Sequence, residues 1–294
     1  MSATARPRRS VLYMPGANPR ALEKAKSLPA DALVFDLEDS VAPDAKAEAR
    51  DRVVGALKQG GYGARELVVR TNGLDTAWGH ADLVALATAG ADAVLLPKVE
   101  GGDTVRSAAR ILERAGAPAS LAIWCMVETP RAVLRAEDIA SAHPRMACLV
   151  MGTSDLAKDL GAAHTPMRLP MLTSLGLCIL AARACGLAVL DGVHLDLNDD
   201  EGFAESCRQG AELGFDGRTL IHPKTLAAAN AAYGPDRERV AWSRRIIKAH
   251  DDAMKRGEGL VVVDGKLVES LHVEEARRTV ALARAVAKLE KQSA

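Results

Sequence analysis

ACLVMGTSDLAKDL, residues 147–160, is the stretch on which the reading of the fold turns. Its first five residues are all apolar, with no alternation of apolar and polar positions, so the strand they predict is covered on both faces, as parallel strands are. The run stops at Gly152 and presents Thr153, Ser154 and Asp155 where a polar segment begins. LAIWCMVETP, residues 121–130, repeats the design: an apolar run ends in Glu128, and Thr129 and Pro130 supply a helix N-cap and first helical position. Two acids at two strand ends point to a hard cation.

Short apolar runs recur at residues 11–14, 32–37, 67–70, 93–96, 121–127, 147–151, 187–190 and 215–221. Helix-like segments lie between them, at 44–57 before Gly60, 103–115 before Gly116, 130–142 before Pro144, 170–184 before Gly186 and 200–213 before Gly214. Alternation of eight strands with helices predicts an α/β fold, a (β/α)8 barrel over residues 1–234. A doubly wound open sheet is the competing arrangement, but it would require a phosphate fingerprint such as GxGxxG, and none follows the first strand. Residues 235–294 form a C-terminal extension: a helix over 236–256, then GLVVVDGKLVES, in which Asp264 and Gly265 signal a hairpin, then a helix to about Leu289. That extension is read as a lid or an oligomer contact.

Composition narrows the function classes. At 48% hydrophobic and 26% charged, the 294 residues describe a soluble globular chain. With 3% aromatic residues an aromatic stacking platform for nucleic acid is not expected, and the zero formal net charge gives no bulk attraction to nucleic acid or anionic membrane. No apolar run reaches the length of a membrane span or signal-peptide core, so the expected compartment is the cytoplasm. The five cysteines are odd in number, widely spaced and mostly in apolar context, which fits reduced thiols.

Chemistry concentrates after the strands: Pro15 and Gly16, Glu38 and Asp39, Arg70 and Asn72, Lys98, Glu128, Asp155, Asp191 and His194, and His222. In a barrel these positions meet on the C-terminal face, where catalytic groups sit. Glu128 and Asp155 are candidate ligands of Mg2+, with Mn2+ a substitute, because magnesium rests on one or two carboxylates plus water and substrate oxygens. Glu38 and Asp39 would act beside them by orienting metal-bound water, or else cap the next helix. Arg70, at the end of ELVVR, could stabilise a developing enolate or carboxylate, or simply pair with Glu38 or Asp39. Arg20, Lys24 and Lys26 could receive phosphates or form a solvated helix face. Lys98 could be a Schiff-base lysine, but the acid pair favours a metal route and a ligand-binding role for it. Gly152, Thr153 and Ser154 are placed with substrate, and His222 is expected to cap a helix. Met151, Leu190 and the 196–201 loop could select a substrate methyl group.

The segments SVLYMPGANPRALEKA, VFDLEDSVAPDAKAEAR, VVRTNG, LLPKVE, VETP, GTSDLAKDL, LDGVHLD, GFDGRTLIHPKT and VDGKLVESLHVEEAR resemble the citrate lyase beta-subunit-like CoA-ester lyases of the HpcH/HpaI aldolase superfamily, including malyl-CoA, β-methylmalyl-CoA and citramalyl-CoA lyases. The resemblance covers residues 9–287. It implies a (β/α)8 barrel with a C-terminal extension, magnesium, a CoA thioester substrate and a homotrimer or hexamer. It puts the metal on Glu128 and Asp155, substrate activation on Arg70, and CoA contacts on Arg20, Lys26 and Lys98. Malyl-CoA lyase-like members carry a lid aspartate where this chain has Glu269, which would be the proton-transfer group on a lid from a neighbouring subunit.

The expected reaction is magnesium-dependent cleavage of a 3-hydroxyacyl-CoA, L-malyl-CoA or β-methylmalyl-CoA, to acetyl- or propionyl-CoA and glyoxylate. Alternatives are a (3S)-malyl-CoA thioesterase, since the same enolate and a water give net hydrolysis, and an (S)-citramalyl-CoA lyase. A reading of another class is the acyl-carrier-binding beta subunit of a citrate lyase-like complex.

Overall fold

The structure, a computed structural model, describes residues 6–257 and 261–293. Eight parallel strands close on themselves in chain order: β1 (Ser10–Pro15), β2 (Ala32–Asp36), β3 (Glu66–Arg70), β4 (Ala93–Leu96), β5 (Ala122–Val127), β6 (Met146–Met151), β7 (Ala188–Asp191) and β8 (Gly217–Leu220). The seam is β1 against β8, with Ser10, Val11 and Leu12 opposite Arg218, Thr219 and Leu220. The α/β barrel expected from the eight apolar runs is therefore present, and the open sheet is not.

The uninterrupted apolar runs have a direct cause. In β2, Ala32 and Val34 join an inner cluster with Val11, Val68, Leu95 and Trp124, whereas Leu33 and Phe35 pack in the larger layer between strands and helices. Both faces of the strands are largely buried, so apolar residues dominate both, and buried charged exceptions such as Asp36, Arg70 and Arg218 are paired. The helices are α1 (Pro19–Ala25), α2 (Lys46–Gln59), α3 (Gly79–Leu86), α4 (Gly102–Arg114), α5 (Pro130–Leu134), α6 (Ala136–Ala140), α7 (Thr153–Leu160), α8 (Leu172–Ala184), α9 (Asp200–Leu213) and α10 (Leu226–Tyr233). The single helix expected over 130–142 is two, because Arg135 leaves helical geometry (φ −116°, ψ 20°). That bend lets Asp138 accept from the Gly102 N–H at 3.0 Å, tying α6 to the start of α4.

Residues 8–233 form one compact unit, and the chain from Gly234 onward belongs to another. The second unit contains α11 (Arg237–Lys255), an antiparallel pair β9 (Val261–Val263) and β10 (Lys266–Val268), and α12 (Ser270–Ser293) around Ile246, Val263, Val268, Val273 and Ala276. Asp264 and Gly265 turn the hairpin with φ of 50° and 76°, the doubly left-handed geometry that Asp-Gly supplies at least cost. Gly259 and Leu260 of the expected GLVVV run lie outside the described residues. Among the described residues no helix is long and apolar enough to cross a membrane.

Candidate active site

A cavity of about 420 Å3 opens among the C-terminal ends of the barrel strands. Its lining includes Tyr13, Asp36, Asp39, Arg70, Glu128 and Asp155, together with Gly152, Thr153 and Ser154. The strand-end acids at 128 and 155, which sequence spacing could only suggest were neighbours, therefore face one space.

Arg70 is the hub. It closes β3 directly opposite Asp36 in the β2 ladder, and both side chains are buried. Its Nε and Nη2 donate to Asp36 Oδ1 and Oδ2 at 2.6 and 2.7 Å, a two-pronged pairing suited to a planar guanidinium. Its Nη1 lies 2.7 Å from Glu38 Oε2 and donates to Asp39 Oδ2 at 3.2 Å. The guanidinium also stands over the Tyr13 ring, 5.0 Å from its centre. Burial would raise the Asp36 pKa, but Arg70 and the backbone N–H groups of Glu38 and Ser40 hold it below the ordinary carboxylate value. Burial would lower the Arg70 pKa, and Asp36 more than reverses this.

Glu128 sits in a different field. It is 1% exposed, and burial, reinforced by the charges of Glu38 and Asp155, pushes its carboxyl up to about 7. One oxygen, Oε1, accepts from the Lys98 backbone N–H at 2.6 Å. To present that N–H, Lys98 adopts φ 49°, a left-handed conformation that costs a side-chain-bearing residue about 1 kcal/mol or more. Close approach also explains Gly152: a Cβ there would fall on Glu128 Cβ and within 2.6 Å of its Oε2. The Lys98 ammonium lies 3.2 Å from Glu38 Oε1, and Glu38 raises the Lys98 pKa. Burial in turn raises the pKa of Glu38.

Five carboxylates, at 36, 38, 39, 128 and 155, thus stand against the two cations Arg70 and Lys98. Asp36 is satisfied by Arg70, whereas the repulsion on Glu128 is not relieved by any ion pair among the described residues. An all-oxygen donor set with excess negative charge fits a hard divalent cation, which would hold to Glu128 and Asp155. No three His, Cys, Asp or Glu side chains among the described residues converge on a metal position, so the other ligands would be water and substrate.

Other expected positions fall elsewhere. Arg20 is exposed on α1, where its N–H serves the Asn18 cap, and Lys26 pairs with Glu23 Oε2 at 2.7 Å; neither lines the cavity. His222 caps a short 3-10 turn, its Nδ1 accepting from the Lys224 N–H at 3.1 Å. Asp191 is fully buried and held bidentately by Arg168 at 2.7 Å, with Arg218 beyond at 3.7 Å, so this strand-end acid fastens loops together. Leu190 points into the barrel interior, and the apolar lining comes from Pro15, Met126, Met151, Val193 and Ile221 instead. Glu269 belongs to the second unit, where it caps α12: its carbonyl accepts from the His272 N–H at 3.0 Å, and its own N–H donates to His272 Nδ1 at 3.0 Å. Sequence reasoning missed Tyr13 and Asp36. The available signal for Asp36 was a carboxylate inside the apolar run VFDL, where an unpaired acid could not be buried.

Residues 9–223 match the family model described as HpcH/HpaI aldolase/citrate lyase. A (3S)-malyl-CoA thioesterase of Cereibacter sphaeroides is 49% identical over 287 residues, covering 98% of each chain. An L-malyl-CoA/beta-methylmalyl-CoA lyase of the same species is 33% identical, covering 92% of this chain and 93% of its own. Among solved structures, protein CitE of Mycobacterium tuberculosis, in complex with magnesium, acetoacetate and coenzyme A, superposes with a TM-score of 0.75 at 30% identity, covering 96% of this chain and 100% of that one.

Proposed function

Because the chain belongs to the HpcH/HpaI aldolase/citrate lyase family, we propose that it is a divalent-cation-dependent enzyme acting on short 3-hydroxyacyl-CoA thioesters, and that it hydrolyses (3S)-malyl-CoA to malate and CoA. The observation that carries the choice of reaction is the 49% identity, end to end, with the thioesterase, against 33% with the lyase. This reverses the order expected from motifs alone, where cleavage of malyl-CoA led and hydrolysis followed. Support for magnesium comes from Glu128 and Asp155, which face one cavity, and from the solved relative that holds it.

When bound, the cation supplies Lewis acidity to the oxygens of the substrate's acid half. The protein's own groups divide the remaining work. The main-chain N–H of Lys98 and the absence of a side chain at Gly152 fix the Glu128 carboxylate. Asp36 and Glu38 hold the Arg70 guanidinium as a fixed positive charge beside the cavity, where it favours negative charge developing on the thioester. Asp39 lines the cavity and is held by a single hydrogen bond of 3.2 Å from Arg70, which leaves it able to accept a proton from an attacking water. Water adds to the thioester carbon, the C–S bond breaks, and the proton released from water is returned to the departing thiolate, giving one malate and one CoA thiol. Arg20, Lys26 and Lys98 remain our candidates for the CoA phosphates, and Glu269 for proton transfer from a neighbouring subunit in a homotrimer or hexamer.

A second reading, carbon–carbon cleavage to glyoxylate, is favoured by the lyase relative and by the Arg70 charge, which would equally stabilise an enolate. Incubating purified protein with malyl-CoA and Mg2+ and assaying malate, glyoxylate and free thiol separately tests both. Malate and thiol in equal amounts without glyoxylate support hydrolysis. Glyoxylate with no free thiol overturns it in favour of cleavage.

A further inference from the structure

Tyr13 is an unassigned hydrogen-bond donor facing the reaction cavity. It is on β1, opposite Val34 in the ladder, and belongs to the inner face of the barrel rather than to the helix-facing layer. Its ring is fixed beneath Arg70 at 5.0 Å, so the phenol cannot swing freely. Burial raises its pKa, and the carboxylates of Asp36, Glu128 and Glu38 act in the same direction, against the lowering by Arg70. The group is therefore a neutral O–H donor throughout the working pH range.

Its acceptor is poor. The hydroxyl reaches Met126 Sδ at 3.9 Å, and a thioether is a weak acceptor at a long distance. Met126 lines the same cavity, so an oxygen entering there can displace the sulfur as partner without breaking a strong bond. The hydroxyls of Ser40, Thr153 and Ser154 also line the cavity, but two other donors there are engaged. Arg70 spends Nε, Nη2 and Nη1 on Asp36, Glu38 and Asp39, and Thr219 Oγ1 donates to the Asp191 carbonyl at 3.1 Å.

We propose that Tyr13 is a further catalytic residue, its O–H donating to the thioester carbonyl oxygen of the acyl-CoA and strengthening that bond as the oxygen gains negative charge. The proposal rests on the reading of the protein as an acyl-CoA thioester enzyme. It adds a neutral donor to the fixed charge of Arg70 above the same ring. Neutral donors at such an oxygen act chiefly on kcat, because the bond tightens as charge develops.

The test is Tyr13→Phe, which keeps the ring under Arg70 and removes only the hydroxyl. Release of CoA thiol from malyl-CoA should fall roughly 100-fold in kcat with KM little changed, while Mn2+ affinity and the melting temperature stay at wild-type values. Two unreactive analogues isolate the contact from the chemistry: a ketone in which CH2 replaces the thioester sulfur, and a carbonyl-free thioether. The variant should bind the ketone up to roughly tenfold more weakly than wild type and the thioether equally well. Wild-type kcat in the variant, or equal weakening toward both analogues, overturns the assignment. If the wild-type protein instead yields glyoxylate from malyl-CoA, the hydrolytic reading fails, and the analogue pair still decides the role of Tyr13.

Discussion

Replacing Arg70 by Met, which roughly preserves the length of the stem and removes the charge, should strip the site of its hub. Asp36 is 2% exposed, and two of its hydrogen bonds, at 2.6 and 2.7 Å, come from this guanidinium. Removing one member of a buried pair typically costs about 3–5 kcal/mol, because the other is left charged in a poor solvent. Asp36 would keep the N–H groups of Glu38 and Ser40 at 2.9 and 3.1 Å, which places the loss toward the lower end, about 3 kcal/mol at pH 7. The pH dependence carries the sign. In the wild type the folded-state pKa of Asp36 is depressed, so its contribution is fully present above the unfolded value near about 4 and disappears as pH falls through the folded value. In the variant burial, the largest influence on Asp36, is opposed only by the Glu38 and Ser40 N–H groups and raises that pKa, so the penalty grows as pH rises through about 4 and is relieved in acid. Urea unfolding at pH 7 and at pH 3.5 should therefore show a large gap between the two proteins at the higher pH and a smaller one at the lower. Arg70→Met with Asp36→Asn should regain part of the loss. A gap below about 1 kcal/mol at pH 7, within the range of an exposed ion pair, or one independent of pH, would refute the account of Arg70 as the partner of a buried acid.

Glu128→Ala and Asp155→Ala should each abolish turnover while leaving far-ultraviolet circular dichroism unchanged, and a chelator should inactivate the wild type reversibly; full activity in EDTA would remove the metal from the mechanism. Gly152→Ala would drive a methyl group into Glu128, so titration with Mn2+ followed by electron paramagnetic resonance should show affinity at least tenfold weaker, about 1.4 kcal/mol or more. Unaltered Mn2+ binding would mean that Glu128 is not a ligand in the orientation seen here. Glu269→Gln should lower turnover with little change in Mn2+ affinity, and mixing it with Arg70→Ala under conditions of proven subunit exchange should restore activity if the carboxylate is donated in trans.

The barrel was legible because its strands are buried on both faces, which forces apolar runs such as AIWCMV with no polar interruption. The break at Arg135 was not, since no Pro or Gly marks it and the contact that goes with it joins Asp138 to Gly102, residues 36 apart. The same distinction divides the site. Glu128 and Asp155 announce themselves as acids immediately after apolar runs. Asp36 and Tyr13 lie within such runs, and only the pairing of β2 with β3 and the inward turn of β1 reveal that they face the cavity. Lys98 was seen as a side chain, whereas its contact with Glu128 is made by its backbone in a conformation no sequence rule assigns to lysine. Asp191 looked functional by position and proved to be occupied by Arg168, a residue in a loop whose course spacing alone does not give.

The placement of Asp36 opposite Arg70 on adjacent strands bears on how the protein assembles as well as on what it does. The ties that set the charged centre join residues 34, 31 and 30 positions apart, namely Arg70 to Asp36, Arg70 to Asp39, and Lys98 to Glu128. Closing the barrel requires Ser10 to find Arg218, far along the chain. The loop entropy of the first set is lower, so the β2–β3 charge pair can form in a half-built chain, before the seam exists. A cut or permutation at the seam would then slow closure while the wiring of Arg70 was already laid down, and the electrostatic centre would be inherited from the N-terminal half of the fold.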